Sequence, residues 1–99
     1  MYRLRFSEDV TKDLKPLAAY HRSMVLQAIQ THLPDEPTTP TRNRKVLVGL
    51  IPPWTAEPPI WELRVGDYRV FYDVSEAEGV VYVRAIRMKP PGKTTEEIL

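Results

Sequence analysis

The chain has 99 residues, with 14 basic and 13 acidic side chains, a formal net charge of +1 and no cysteine. This length suits one domain over residues 1–99, and the lack of cysteine excludes disulfides and thiolate metal sites. No apolar run approaches the roughly 20 residues of a membrane span, and no signal-peptide core is present, so we expect a cytoplasmic protein with no membrane partner and no metal or other cofactor.

The first fifteen residues predict a strand followed by a short helix. In "YRLRF" the apolar residues Tyr2, Leu4 and Phe6 alternate with arginines, which is typical of a half-buried strand. Ser7 then has the side chain of a helix N-cap, and two acids follow it in the first turn. We expect this helix to run to about Lys15.

A second and longer helix is predicted between two prolines. Pro16 interrupts the first helix, and Pro34 ends the second at about Leu33. Within it Val25, Ile29 and Leu33 recur every four residues. Such spacing forms one apolar stripe that packs against a core.

The segment from Asp35 to Pro59 predicts a proline-rich loop. It holds most of the ten prolines, with a short apolar strand possible at "KVLVGLI". The double prolines near its end forbid a continuous strand there. Trp54, inside this loop, is either a cover for the core or a stacking platform for a base.

Three strands follow, at Trp61–Val65, Tyr68–Val74 and Val80 to about Met88. A tight Gly66-Asp67 turn joins the first two as a hairpin. The remaining tail, "PPGKTTEEIL", is long enough for about one helical turn. The order strand, helix, helix, three-stranded antiparallel meander predicts an α+β fold with both helices packed on one sheet face.

Alternation within the meander divides its side chains between the two faces. Tyr68, Val70, Tyr72 and Val74 should meet the helices, which places Arg69 on the opposite face. By the same argument Glu62 and Arg64 join Arg69 there, and we expect that face to be open to solvent. On the last strand, alternation puts five residues on one side: Val81, Val83, Ala85, Arg87 and Lys89.

The stretches "RNRKVLVG", "WELRVGDYRVFYDV" and "GVVYVRAIRMKPP" resemble the RelE/ParE toxin superfamily of bacterial toxin–antitoxin modules, in its RelE branch. The resemblance covers nearly the whole chain. It implies a toxin that enters the ribosomal A site and cleaves messenger RNA. It also implies a partner, an acidic and partly disordered antitoxin encoded beside the toxin.

Some functional residues of the family have counterparts in this chain, and others do not. It implies that Arg69 stabilises the phosphate under attack and that Lys89, with Arg87 next in line, is the basic residue near the end of the last strand. Family members often carry lysines on the strand before the hairpin, whereas Ile60 and Glu62 stand at those positions here. The C-terminal tyrosine of some members has no counterpart.

Cleavage of RNA by its own 2′-hydroxyl needs a proton acceptor, a proton donor and cations around the phosphate. Glu62 is the one expected proton acceptor on the Arg69 face, and the alternative is an ordinary carboxylate paired with a neighbouring arginine. Further candidates for RNA contact are Arg64, Arg84, Arg42, Arg44 and Lys45. Two functions remain open: a ribosome-dependent endoribonuclease, or a non-enzymatic toxin that inhibits gyrase or has lost its chemistry.

Overall fold

The computed structural model describes all 99 residues. Its strands and helices, in chain order, are β1 (Arg3–Phe6), α1 (Glu8–Leu14), α2 (Ala19–His32), β2 (Arg44–Leu47), β3 (Ile60–Val65), β4 (Tyr68–Ser75), β5 (Val80–Met88) and α3 (Thr95–Ile98). None of the helices has the length and apolar character needed to cross a membrane.

The strands form one five-stranded sheet in the order β1-β5-β4-β3-β2. The meander of β3, β4 and β5 is antiparallel, as predicted, and β2 extends it at one edge. At the other edge β1 pairs with β5 in parallel. The α+β fold with two helices before a meander is therefore confirmed, and the meander is the centre of a larger sheet.

The main core lies between the helices and one face of the sheet. Val25, Ile29 and Leu33 are completely buried, which confirms the predicted stripe of α2. They pack in one cluster with the β3 and β4 side chains that alternation assigned to this face, including Leu63 and Val70. Helix α2 is stabilised mainly by the burial of this apolar stripe against the sheet.

A β-bulge changes the alternation of β5. Phe71 pairs with Ala85, but the next residue of β4, Tyr72, pairs with Val83, so Arg84 is the extra residue. Val81 and Val83 consequently face the helices, while Ala85 and Arg87 lie opposite Phe71 and Arg69 on the other face. The expectation that all five alternate residues of β5 share one side is therefore wrong, because one extra residue reverses the alternation.

The face opposite the helices is covered over much of its area, contrary to the expectation of an open face. Phe71 and Asp73 on this face are completely buried. The proline-rich loop folds over it and places the Trp54 ring 5.5 Å from the Phe71 ring. From the C-terminal side Thr95 is buried against Glu62. Loop and tail together form a second, smaller core whose existence strand alternation alone does not reveal.

Two local predictions also change. Ser7 stands at the N-cap of α1, but its side chain makes no capping hydrogen bond. Its hydroxyl donates instead to the Arg84 carbonyl, across the bulge. The strand predicted at "KVLVGLI" is limited to Arg44–Leu47, because the chain turns at Gly49, whose φ is +75°.

Candidate functional site

Basic side chains converge where β2, β3, β4 and the end of β5 lie side by side. They form a cleft of about 140 Å³, here called the basic cleft, which is lined by Arg42, Asn43, Lys45, Glu62, Arg64, Arg69 and Lys89. A neighbouring groove of about 310 Å³ shares Arg64, Arg69 and Lys89 with it and continues to Lys93. Glu62 is the one carboxylate in the cleft.

Strand register explains why these residues meet. Arg64 on β3 stands directly opposite Arg69 on β4, and Arg69 stands directly opposite Arg87 on β5. Lys45 on β2 is likewise opposite Glu62 on β3. Like charges directly across a sheet are destabilising, so this row of three arginines is not what folding alone would favour.

Arg69 is held rigidly. It is 8% exposed, and its Nη1 donates to the carbonyl oxygens of Gly66 and Tyr68 at 2.9 and 2.8 Å. Its Nε lies 4.0 Å from Glu62 Oε1. The tight turn at Gly66, with φ at +57°, brings its carbonyl within reach of the guanidinium. Arg69 is therefore a fixed cation at the bottom of the cleft.

Glu62 is less exposed to solvent than we expected of a proton acceptor that contacts RNA. It is 3% exposed. Its Oε1 accepts a hydrogen bond from the Thr95 hydroxyl at 3.2 Å, and its Oε2 lies 3.5 Å from Lys45 Nζ. The structure thus favours the ion-paired reading of Glu62, in which the carboxylate partly offsets the repulsion among the cations around it.

Two of the predicted RNA-contacting arginines have structural partners instead. Alternation along β2 turns Arg44 toward the helices, where it is buried and its Nη1 donates to the His32 carbonyl at 2.7 Å. Arg84, at the bulge, binds the buried Asp73 carboxylate with two hydrogen bonds of 2.7 and 3.0 Å. These bonds raise the pKa of the Arg84 guanidinium above its ordinary value. Neither side chain lines the basic cleft, and their contact with RNA stays a prediction.

Arg87 also points away from the cleft. Its Nη1 donates to Asp13 of α1 at 2.8 Å, and its guanidinium lies 5.4 Å from the centre of the Trp54 ring. The same Asp13 oxygen accepts from the Ile86 amide. The backbone of Arg87 therefore lies opposite Arg69 in the strand pairing. Its guanidinium, however, is bound to Asp13 outside the cleft. This placement leaves Lys89 as the basic residue of β5's end that lines the cleft.

Sequence reasoning missed Asn43 and Thr95. The only signal for Thr95 was the spacing of Thr94 and Glu97, which form a reciprocal capping box at the start of α3. The loop position of Asn43 gave no comparable signal. No group of three or more His, Asp or Glu side chains is arranged to hold a metal ion.

A family model for the "ParE toxin of type II toxin-antitoxin system, parDE" matches residues 4–89. Among solved structures, the archaeal RelE–RelB complex from Pyrococcus horikoshii OT3 is similar with 28% identity and a TM-score of 0.69, over 94% of this chain and 98% of that chain. The isolated Escherichia coli RelE toxin is similar with 21% identity and a TM-score of 0.69, over 98% of this chain and 94% of that chain. The Mycobacterium tuberculosis RelBE2 toxin–antitoxin complex is similar with 22% identity and a TM-score of 0.67, over 89% of this chain and 98% of that chain.

A search of curated proteins finds no match. The family model, however, spans every strand of the meander and the helices α1 and α2, and the similar solved structures share the fold. The chain therefore belongs to the ParE toxin family of type II toxin–antitoxin systems, within the RelE/ParE superfamily.

Proposed function

We propose that this toxin cleaves messenger RNA on the ribosome and thereby inhibits translation. The observation that carries the proposal is the basic cleft, in which Arg64, Arg69 and Lys89 surround a space of about 140 Å³. Folding gains nothing from placing arginines opposite each other. Local conflicts of this kind in a folded protein are typical of functional sites, and a polyanion is the ligand that relieves them.

Within this proposal, Arg69 and Lys89 hold the phosphate that is attacked. The planar guanidinium of arginine suits two oxygens of one phosphate, and a fixed cation stabilises charge that develops in the transition state. The burial and two carbonyl hydrogen bonds of Arg69 support this role, since they fix its position before RNA arrives. Arg42 and Arg64, both exposed, then serve as contacts for neighbouring phosphates.

A second candidate function is a non-enzymatic toxin that acts by binding, either as a gyrase inhibitor or as a RelE homologue without chemistry. The burial of Glu62 between Lys45, Arg69 and Thr95 favours it, because no free carboxylate faces the cleft. The match to a family model named for ParE favours it as well.

Primer extension on cellular transcripts after brief induction of the toxin separates the two. The endoribonuclease produces new 5′ ends within translated frames, and these ends disappear when translation initiation is blocked beforehand. Intact transcripts together with growth arrest support the binding toxin. A supercoiling assay with purified gyrase then identifies that target directly.

We further propose that a small antitoxin binds this chain. Several similar structures are complexes of RelE with RelB, or of RelBE2. An acidic and disordered segment laid over the basic cleft would neutralise cations that otherwise attract RNA nonspecifically. The interface should bury at least about 1,200–2,000 Å².

Co-expression with the neighbouring open reading frame tests the partnership. We expect the two proteins to elute together in size-exclusion chromatography and growth to be restored. Separate elution, or continued growth arrest, would contradict the proposal.

A further inference from the structure

Cleavage of RNA needs a proton for the departing oxygen, and we propose that Lys45 supplies this proton while Glu62 positions Lys45. The inference rests on the proposed ribonuclease function. It assigns chemistry to Lys45 of β2, which the sequence suggested only as an RNA contact, whereas the catalytic candidates expected from the sequence lie on β3, β4 and the end of β5.

The composition of the basic cleft leaves few groups that can move a proton. Arginine does not give up its proton in proteins, and an asparagine amide neither accepts nor releases one at neutral pH. Of the residues that line the cleft, Lys45, Glu62 and Lys89 therefore remain. Among the side chains of the cleft, the proton donor is therefore one of these three.

Glu62 is not free to act on substrate. It is 3% exposed, and both of its oxygens are engaged, one by Thr95 and Arg69 and the other by Lys45. A carboxylate that moved toward RNA would lose all three partners and leave Arg69 without its counterion. Glu62 therefore holds the side chains of Lys45 and Arg69 in position.

Lys45 combines the two properties that a proton donor needs. Its side chain is 60% exposed, so its ammonium can reach a bound RNA, and its Nζ lies 3.5 Å from Glu62 Oε2, so the ammonium is held against the cleft. The direct opposition of Lys45 and Glu62 in the β2–β3 pairing fixes both on rigid backbone. An ammonium also carries a proton at neutral pH, as a general acid must.

Lys89 is suited to a different task. It lies at the end of β5, separated from Lys45 by the two strands β3 and β4. Its amide donates to the Asp67 carbonyl at 2.7 Å, which fixes its backbone beside the hairpin turn and Arg69. A phosphate between Arg69 and Lys89 thus lies in the same cleft as Lys45, which stands on its β2 side.

The step balances without any further reactant. The 2′-oxygen of one nucleotide attacks the adjacent phosphorus, forms the P–O2′ bond of a 2′,3′-cyclic phosphate and passes its proton to a water molecule. The P–O5′ bond breaks, and O5′ takes a proton from the Lys45 ammonium and leaves as a hydroxyl. The neutral Lys45 amine then regains a proton from solvent.

The test uses full-length toxin, programmed ribosomes and a synthetic messenger RNA, with single-turnover cleavage as the readout. Lys45→Arg keeps the positive charge but cannot donate the proton. We expect it to lower the cleavage rate at least about 10²-fold, the contribution of one well-placed acid, with RNA affinity unchanged. Lys12→Arg, which changes an exposed lysine of α1, is the matched control and should cleave like the unsubstituted protein.

A second substrate separates proton donation from structural support. A 5′-bridging sulfur at the scissile position leaves without protonation, so Lys45→Arg should cleave it at nearly the rate of the unsubstituted toxin. Glu62→Gln, which acts through Lys45, should show a smaller defect on the oxygen substrate and the same recovery on the sulfur substrate.

The outcomes distinguish the inference from the function on which it rests. If the unsubstituted toxin cleaves and Lys45→Arg cleaves equally well, or remains equally defective on the sulfur substrate, the assignment of Lys45 is overturned while the ribonuclease stands. If the unsubstituted toxin leaves both substrates intact, both proposals are overturned together.

Discussion

Arg69 serves the fold and the cleft at the same time. As a buried cation with two backbone carbonyl acceptors and a nearby carboxylate, it cannot be removed without leaving polar groups unpaired. On the open face expected from the sequence, its loss would have cost almost nothing. The tail and loop that cover this face change that expectation.

Replacement of Arg69 by alanine should therefore reduce both toxicity and stability. Two carbonyls and the Glu62 carboxylate lose a charged donor, and we expect the free energy of unfolding to fall by about 1–3 kcal/mol. Urea denaturation of the purified protein measures this loss.

A control variant with a similar loss of stability separates the effect on the cleft from the effect on folding. Ile29→Val shortens a buried side chain of α2, on the other side of the sheet, and should cost about 0.5–1.5 kcal/mol. We expect growth arrest to persist with Ile29→Val and to disappear with Arg69→Ala. Equal loss of toxicity in both variants would mean that Arg69 acts only through folding.

Alternation alone places Glu62, Arg64 and Arg69 together on one face, because each lies on a strand whose other face is evidently apolar. It does not reveal whether that face is covered, since the covering residues Trp54 and Thr95 lie in segments without periodicity. For this reason these three members of the cleft were predictable, whereas Asn43 and the burial of Glu62 were not.

At the scale of elements, the bulge in β5 determines which residues of that strand share the sheet face of Arg69. With Arg84 as the extra residue, Ala85 and Arg87 move to the face of Arg69, and Val83 stays with the helices. No residue of β5 marks the bulge in advance, because valine, arginine and alanine all occur in regular strands. The paired Asp73 and Arg84 side chains hold it in place across the two strands.

Asp73→Ala should weaken this part of the sheet. The aspartate is completely buried and binds Arg84 through both oxygens, and removing one partner of such a pair costs about 3 kcal/mol. Urea denaturation gives the loss for the single variant. In the double variant Asp73→Ala, Arg84→Met the loss should be smaller than the sum of the two single losses, and strict additivity would contradict the pairing.

The C-terminal turn α3 should loosen in acid. The Thr94 amide and hydroxyl, which bond Glu97 in the capping box, hold the pKa of the Glu97 carboxyl below its ordinary value of 4.5. Stabilisation from this carboxylate is present above the ordinary value and is lost as the pH falls through the lowered pKa. NMR titration of the Glu97 side chain checks this, and Thr94→Ala should move its midpoint upward.

At the scale of the whole molecule, charge is arranged far less evenly than the net value of +1 indicates. Acids pair with several of the arginines, as Asp73 does with Arg84 and Asp13 with Arg87. Of the cations without an acidic partner, Arg42, Arg64 and Lys89 lie together in the basic cleft, and Arg64 and Lys89 also line the adjoining groove. A nearly neutral protein can therefore present one strongly positive site, and sequence composition alone conceals it.

Binding of a short single-stranded RNA should consequently depend on salt in proportion to the number of phosphates that the cleft contacts. Each contact releases counterions and contributes about 0.7 to the slope of log Kd against log salt concentration. Removing one phosphate contact with Arg64→Ala or Lys89→Ala should lower the slope by about that amount. Arg3→Ala, on the opposite edge strand β1, should leave it unchanged. Fluorescence anisotropy across a salt series measures all four proteins, and a slope that falls equally in Arg3→Ala would show that RNA responds to overall charge and not to the basic cleft.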